Sequence, residues 1–377
     1  QYTTGGADGQ APGFELDSSG RWTRKLTFEE LPLCDRSSSG KVRPWRTRKL
    51  QALSLADIYE GLALQACPED SPAAAAASSM AAAIDAELGL STTPDGIQYN
   101  AETGEIIEHS ADRKLPTAAA KYLDKAERLA RCAAWAEFER LPEGQGLRLH
   151  DASFCRVRLC PMCQWRRSLK LGAQVRRVVE RANADHLAET GAPWRWLMVT
   201  FTVQNVPGPQ LGAEIDRLHK AVNNLAKCAR WRAAVRGWLR ATEVTHNSDK
   251  KSRSYDTYHP HLHMLLCVPA GYFSGKGYIK QKEWADLWAH YAKTDYTPIV
   301  DVRAIKAEDG SSVQDLPAAE QAAAMGKACA EVSKYAAKPG DYIIAADPQL
   351  SMRTVALLDS MLDKRRMTSW GLSLIHI

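Results

Sequence analysis

The sequence has no run of roughly 18 apolar residues, the length that a membrane-spanning helix requires. Its most apolar stretches, at 196–203 and 262–268, are only long enough for strands, so nothing in it reads as membrane-spanning. It also has no secretory signal. Charge of one sign is not in excess. The 49 Lys and Arg against 44 Asp and Glu leave a net charge of +5, too mild to mark a nucleic-acid binder from totals alone. Nor is there an even cysteine framework. Nine cysteines are an odd number, and three of them crowd between Cys155 and Cys163. That fits a metal site in a reducing compartment better than disulfides, so a cytoplasmic protein is expected.

What is present suffices for folded structure. A chain of 377 residues, 45% hydrophobic and 25% charged, can bury one sizeable core and a smaller module, which excludes a wholly disordered protein. Both ends read as incomplete. The first residue is Gln1 rather than Met, and Leu372-Ser-Leu-Ile-His-Ile377 resembles the translation of a transposon-based sequencing adapter, so residues 372–377 are set aside from fold reasoning.

Residues 1–115 mix Gly, Ser and Thr with a basic run at 43–49 and an alanine tract, and read as largely flexible apart from a short helix over Leu50–Leu64. A helical pattern from Thr117 to Arg140, a cysteine-rich knot and a second helix from Gln164 to Ala188 make residues 116–190 a helical module. Beyond it come a strand over Trp194–Gln204, a helix from Gln210 to Arg236, and two strands, Leu239–Thr245 and Tyr258–Val268, joined by a charged loop. A helix near Lys280–Ala292, a strand near Ile299–Ile305 and an alanine-rich helix from Leu316 to Lys338 complete a domain at 191–345, and a helical segment follows at 346–371. This order predicts an α+β fold, a mainly antiparallel sheet with helices packed on one face.

In the strand at Tyr258–Val268, His259, His261 and His263 alternate and so share one face, with Leu262, Met264 and Leu266 on the other. Two imidazoles two places apart can chelate a divalent ion, and a histidine-rich sheet edge with no ligand would look the same. Glu243 on the preceding strand can face the histidines across a hairpin ladder. Such a shell of imidazole and carboxylate suits Mn²⁺ at least as well as Mg²⁺. In the alanine-rich helix, Glu331 and Tyr335 are four residues apart, with Lys327, Lys334 and Lys338 close by. A tyrosine among cations is a candidate nucleophile toward phosphodiesters, although a half-buried packing residue has the same spacing.

These residues together resemble a known family. Phe201-Thr-Val203, His261-Leu-His263 and Glu331-Val-Ser-Lys-Tyr335 resemble, in order and context, the three motifs of rolling-circle plasmid replication initiators of the HUH endonuclease superfamily. Residues 154–167, from Phe154 through Cys160-Pro-Met-Cys163 to Arg167, look like the cysteine-rich signature that precedes the nuclease in one branch. The resemblance implies that His261, His263 and an acidic residue, here Glu243, hold Mg²⁺ or Mn²⁺, with His259 an extra candidate. It implies that Tyr335 attacks the nick-site phosphate to leave a 5′-phosphotyrosyl enzyme and a priming 3′-hydroxyl. Where some relatives carry a second tyrosine one turn earlier, this chain has Glu331, which can activate water and make termination hydrolytic. Tyr342, past Pro339-Gly340, is a poor second nucleophile.

Cys155, Cys160 and Cys163, with Cys132 upstream and His150 nearby, supply enough ligands for a tetrahedral zinc site; buried thiols without an ion are the alternative. In the helix that follows, Arg166, Lys170, Arg177 and Arg181 form a stripe, joined by Arg167, and between Cys155 and Ala182 there are eight Arg or Lys against the single acid Glu180. Such a stripe suits DNA phosphates, although a solvated face would also be basic. The expected partners are plasmid origin DNA, with an unpaired or hairpin nick site and flanking duplex, together with a host helicase and polymerase; a homodimer is also considered. Rival readings are an HUH transposase acting at transposon ends and a non-catalytic zinc-dependent DNA-binding regulator.

Overall fold

The computed structural model describes residues 15–18, 21–27, 42–67, 90–92, 98–100, 116–140, 147–306, 318–334, 336–372 and 374. They divide into two compact units, Gln1–Val157 and Arg158–Ile377. The division falls inside the segment read as one cysteine-rich module. Among the described residues, no helix is long and apolar enough to cross a membrane.

The first unit carries strands β1 (Glu15–Leu16) and β2 (Trp22–Thr27), helix α1 (Trp45–Gln65), the paired strands β3 (Leu90–Thr92) and β4 (Gln98–Asn100), helix α2 (Thr117–Ala130), and strands β5 (Trp135–Arg140) and β6 (Leu147–Ala152). Its larger sheet is antiparallel in the order β1-β2-β5-β6. The first 115 residues, read as largely flexible, thus contain a sheet edge and a helix longer than the Leu50–Leu64 segment expected. The helix expected over Thr117–Arg140 also stops early, at Ala130. The buried Lys49 ammonium takes up the carbonyls of Ala130 and Cys132 at 2.6 and 2.7 Å. Ala133 then adopts φ 54°, which turns the chain, and the buried Ala136 and Phe138 alternate as a strand requires.

The second unit opens with α3 (Pro161–Thr190), capped by the Cys160 sulfur and closed by Gly191 at φ 75°. It continues through β7 (Arg195–Phe201), β8 (Val206–Pro207), α4 (Leu211–Leu225), α5 (Ala229–Ala234), β9 (Gly237–Asn247), β10 (Thr257–Val268), α6 (Gln281–Ala292), β11 (Val300–Ala304), α7 (Ala318–Glu331), α8 (Pro339–Tyr342), α9 (Pro348–Leu362) and β12 (Thr368–Leu372). The fold is α+β, as expected. Its sheet runs β11-β7-β10-β9-β12, antiparallel throughout, and β8 pairs with β10 beside it.

The helix expected over Gln210–Arg236 is broken in two, because the Cys228 sulfur accepts the Trp231 amide and starts a new helix. Helices also cover both faces of the sheet rather than one. On one face, Val199, Phe201, Leu262, Met264 and Leu266 pack against residues of α4 and α6, among them Leu218, Val222, Trp284 and Trp288. On the other, Leu239, Leu265 and Cys267 pack against Val175 and Val179 of α3 and Cys329 and Val332 at the end of α7. The histidine-bearing face of β10 turns apolar after His263, so that half of it also has to be covered.

Of the six residues set aside at the C-terminus, Leu372 pairs with Gly237 in β12 and Leu374 is buried against the core. β12 lies so close to β9 that a Cβ added at Gly371 would meet the Trp238 ring at 2.1 Å. Gly371→Ala is therefore expected to destabilise the protein by about 1–3 kcal/mol in urea unfolding. An unchanged midpoint would show that β12 does not hold this position.

Candidate functional site

Strand register builds the centre of the site. His261 lies directly opposite Glu243, and the period of two brings His263 onto the same face. The buried Glu243 Oε2 lies 3.1 Å from His263 Nε2 and 3.5 Å from His261 Nε2. These three residues offer ligand atoms within 4.8 Å of one another, as an ion requires. His259 does not join them. It sits one repeat further along the strand, stacked on the His261 ring at 5.1 Å, and its pKa is lowered first by burial and then by His261.

Both remaining ring nitrogens are engaged. His261 Nδ1 is 3.2 Å from the His259 carbonyl, which can only accept, so Nδ1 is the donor of that bond. His263 Nδ1 lies 3.2 Å from the hydroxyl of Thr200, its cross-strand partner on β7. Two imidazole nitrogens and a carboxylate oxygen thus converge on one point, and the residues fit a divalent cation there. Burial alone would raise the Glu243 pKa, but contacts with His261, His263 and Lys338 outweigh it and hold the carboxylate well below its usual range. Thr200 was missed in the sequence because only the register of β7 against β10 places it beside His263.

The segment beyond α7 closes over the same point. Glu331, the last residue of α7, brings Oε1 to 3.9 Å from His263 Nε2, and Lys334 Nζ pairs with that carboxylate at 2.5 Å. Lys338 Nζ lies 2.7 Å from Glu243 Oε1, and this hydrogen bond raises the lysine pKa. The helix expected to run on to Lys338 ends at Glu331 instead. The Ala336 carbonyl accepts the Val244 amide at 2.8 Å, tying this stretch to the edge of β9 and leaving Lys334 and Lys338 outside α7. Tyr335 lies outside the described residues. The Tyr342 hydroxyl is buried and donates to the Leu159 carbonyl at 2.6 Å.

At the start of the second unit, Cys160 and Cys163 offer sulfur atoms within 4.8 Å of each other, and His150 is not among the candidate ligands. Zinc–sulfur bonds of about 2.3 Å place neighbouring sulfurs about 3.8 Å apart, a spacing within reach of this pair. Cys160 Sγ already accepts the Cys163 amide at 3.5 Å. Cys267 and Cys329 lie in the core, where burial raises their pKa, that of Cys329 to about 11.

Along α3, Arg167, Lys170, Arg177 and Arg181 are exposed, while Arg166 lies half-buried over the Trp165 ring. Arg181 is paired with Asp185 at 2.8 Å, so its charge is partly neutralised. The helix passes the end of α7, where a Cβ at Gly172 would meet Ser333 Oγ at 3.7 Å.

Replacing Thr200 by Val removes the hydroxyl beside His263 while nearly preserving shape. Divalent-ion affinity is expected to fall about 10- to 100-fold in Mn²⁺ calorimetry, as when the outer partner of a ligating histidine is lost. Unchanged affinity would show that Thr200 does not orient the ring.

Residues 146–377 match the family model Rep_1, described as replication protein. A "Protein rep" of Bacillus amyloliquefaciens is 38% identical over 268 residues, 71% of this chain and 76% of the relative. Another "Protein rep", from Streptococcus pneumoniae serotype 2, is 32% identical over 317 residues, 84% of this chain and 74% of the relative. A "Replication protein" of Staphylococcus aureus is 29% identical over 179 residues, 47% of this chain and 69% of the relative. No solved structure matches the chain. With a match over more than half of its length and relatives covered over most of theirs, the chain belongs to the replication protein family.

Proposed function

We propose that this protein initiates rolling-circle replication of a plasmid by nicking one strand of the origin DNA through Tyr335, in the manner of an HUH endonuclease. The observation that carries the reading is the convergence on one sheet face of Glu243, His261 and His263, with Glu331 and Lys338 brought there by the segment that contains Tyr335. Its immediate neighbour Ala336 is bonded to β9 next to Glu243, which supports a nucleophile beside the ligand cluster. A Mg²⁺ or Mn²⁺ ion, if held by Glu243, His261 and His263, would supply Lewis-acid polarisation of the scissile phosphate.

The chain's own residues account for the remaining steps. The Tyr335 phenol passes its proton to solvent as its oxygen forms a bond to phosphorus, and the bond from phosphorus to the 3′ oxygen breaks. The departing oxygen takes up a proton and becomes the 3′-hydroxyl primer. Lys338 and Lys334 place positive charge beside this centre. Glu331 then accepts a proton from water, whose oxygen attacks the phosphotyrosyl phosphorus and frees the tyrosine. Zinc held by the cysteine set would order the start of α3, and Arg166, Arg167, Lys170, Arg177 and Arg181 would contact phosphates of the flanking duplex. Strand transfer at transposon ends would use the same centre, whereas a non-catalytic regulator would leave the convergence of Glu331 and Lys338 without a purpose.

Incubation with single-stranded origin DNA and Mn²⁺, followed by a denaturing gel, tests the reading. Wild type should give a covalent protein–DNA adduct and Tyr335→Phe none. Absence of an adduct from wild type on a verified origin, or its persistence in Tyr335→Phe, overturns the proposal. Glu331→Ala should still nick but release its adduct by hydrolysis at least about 100-fold more slowly, the scale of a lost general base. Release at the wild-type rate would remove that role.

A further inference from the structure

We propose that the Tyr342 hydroxyl is a positioning group that couples the start of α3 to residues 336–342, so that an ion held at Cys160 sets the placement of Lys338 beside Glu243. The proposal rests on the function proposed above. Tyr342 is fully buried, and its hydroxyl donates to the carbonyl of Leu159, the residue immediately before Cys160. Leu159 and Cys160 are themselves fully buried, and the Cys160 sulfur both belongs to the ligand pair and caps α3. One hydrogen bond therefore joins the peptide preceding a metal ligand to the short turn of α8.

That turn leads directly to the site. Within α8, the Asp341 amide bonds to the Lys338 carbonyl at 2.9 Å and the Ile343 amide to the Pro339 carbonyl at 2.8 Å, so a displacement of Tyr342 carries Lys338 with it. Lys338 reaches Glu243, and Ala336 is bonded to Val244. His246 Nδ1 lies 3.1 Å from the Asp341 carbonyl and makes a third attachment to β9. Three of these contacts hold the segment to the sheet. The Tyr342 hydroxyl ties it to the peptide that precedes Cys160.

Thiols or thiolates drawn together without a cation repel or protonate, and the peptide carrying them relaxes. Binding of an ion holds that peptide, and with it the Leu159 carbonyl, in one place. In-line attack tolerates little error, so a tie of this kind affects the chemical step more than DNA affinity. A phenol needed only to fill the core would not distinguish these effects.

The test combines Tyr342→Phe, which keeps the ring, with Cys163→Ser, which removes one thiolate, and with the double variant. Tyr342→Phe should hold wild-type zinc and bind origin DNA with wild-type affinity. Its kcat for adduct formation at saturating DNA should fall about 10- to 100-fold, as for an ångström-scale misplacement. Cys163→Ser should slow the same step, and the double variant should be no slower than the worse single variant, because both break one connection. Hydrogen exchange in wild type should show faster exchange at 336–342 when zinc is stripped, a readout independent of nicking.

A wild-type kcat in Tyr342→Phe, multiplicative losses in the double variant, or exchange at 336–342 that ignores zinc would each overturn the coupling. Failure of the nicking reading is separately visible, as no adduct from wild type at all.

Discussion

A carboxylate buried in a β-sheet is the constraint around which the second unit is organised. Glu243 lies in the middle of β9 with almost no exposure, where an uncompensated charge would cost several kcal/mol or would be neutralised by a proton. Its compensation comes from two directions. The imidazoles of His261 and His263 are delivered by strand pairing, and the Lys338 ammonium by a segment more than 70 residues downstream. The first contribution comes with the hairpin; the second is obtained only when the chain after α7 docks on β9. Folding of that segment and assembly of a charged centre are thus one event, which explains why the backbone bond from Val244 to Ala336 and the ion pair to Lys338 occur side by side.

The parts legible in the sequence were those governed by short periods. Alternation along 259–263 put the histidines on one face, and the closeness of two strands in the chain put Glu243 across from them. The central strands and the long basic helix followed from the same kind of pattern. Where the reading failed, a distant partner decided the outcome. An alanine-rich run favours helix through Lys338, but β9 claims the Ala336 carbonyl and α7 ends at Glu331. Trp135–Arg140 continued a helical stripe on paper, yet Lys49 takes the carbonyls at the end of α2 and the chain turns into a strand. Thr200 carries no local signal at all, because its meaning lies in its register against His263.

The basic helix α3 shows how one element serves two surroundings. Its apolar stripe of Val175, Val179 and Ala182 packs on the sheet beside α7, while Arg167, Lys170 and Arg177 project outward. Its start is set by a cysteine that both caps the helix and belongs to a ligand set. A basic surface and the Glu243, His261 and His263 cluster are therefore held in a single packed unit. The weak net charge of the whole chain says nothing of this local contrast.

The functional face of β10 has a wet half and a dry half, with His259, His261 and His263 followed by Leu265 and Cys267. Alternation alone guards a strand against slipping by one place, since every side chain would change faces. It offers no protection against a slip of two, which keeps each side chain on its own face. Here such a slip would, in one direction, push His263 into the position of Leu265 beneath α3 and α7 and, in the other, bring Leu265 out to the position of His263. The boundary between the two halves therefore acts as a second lock on register, and the lock lies next to the residues whose spacing has to be right.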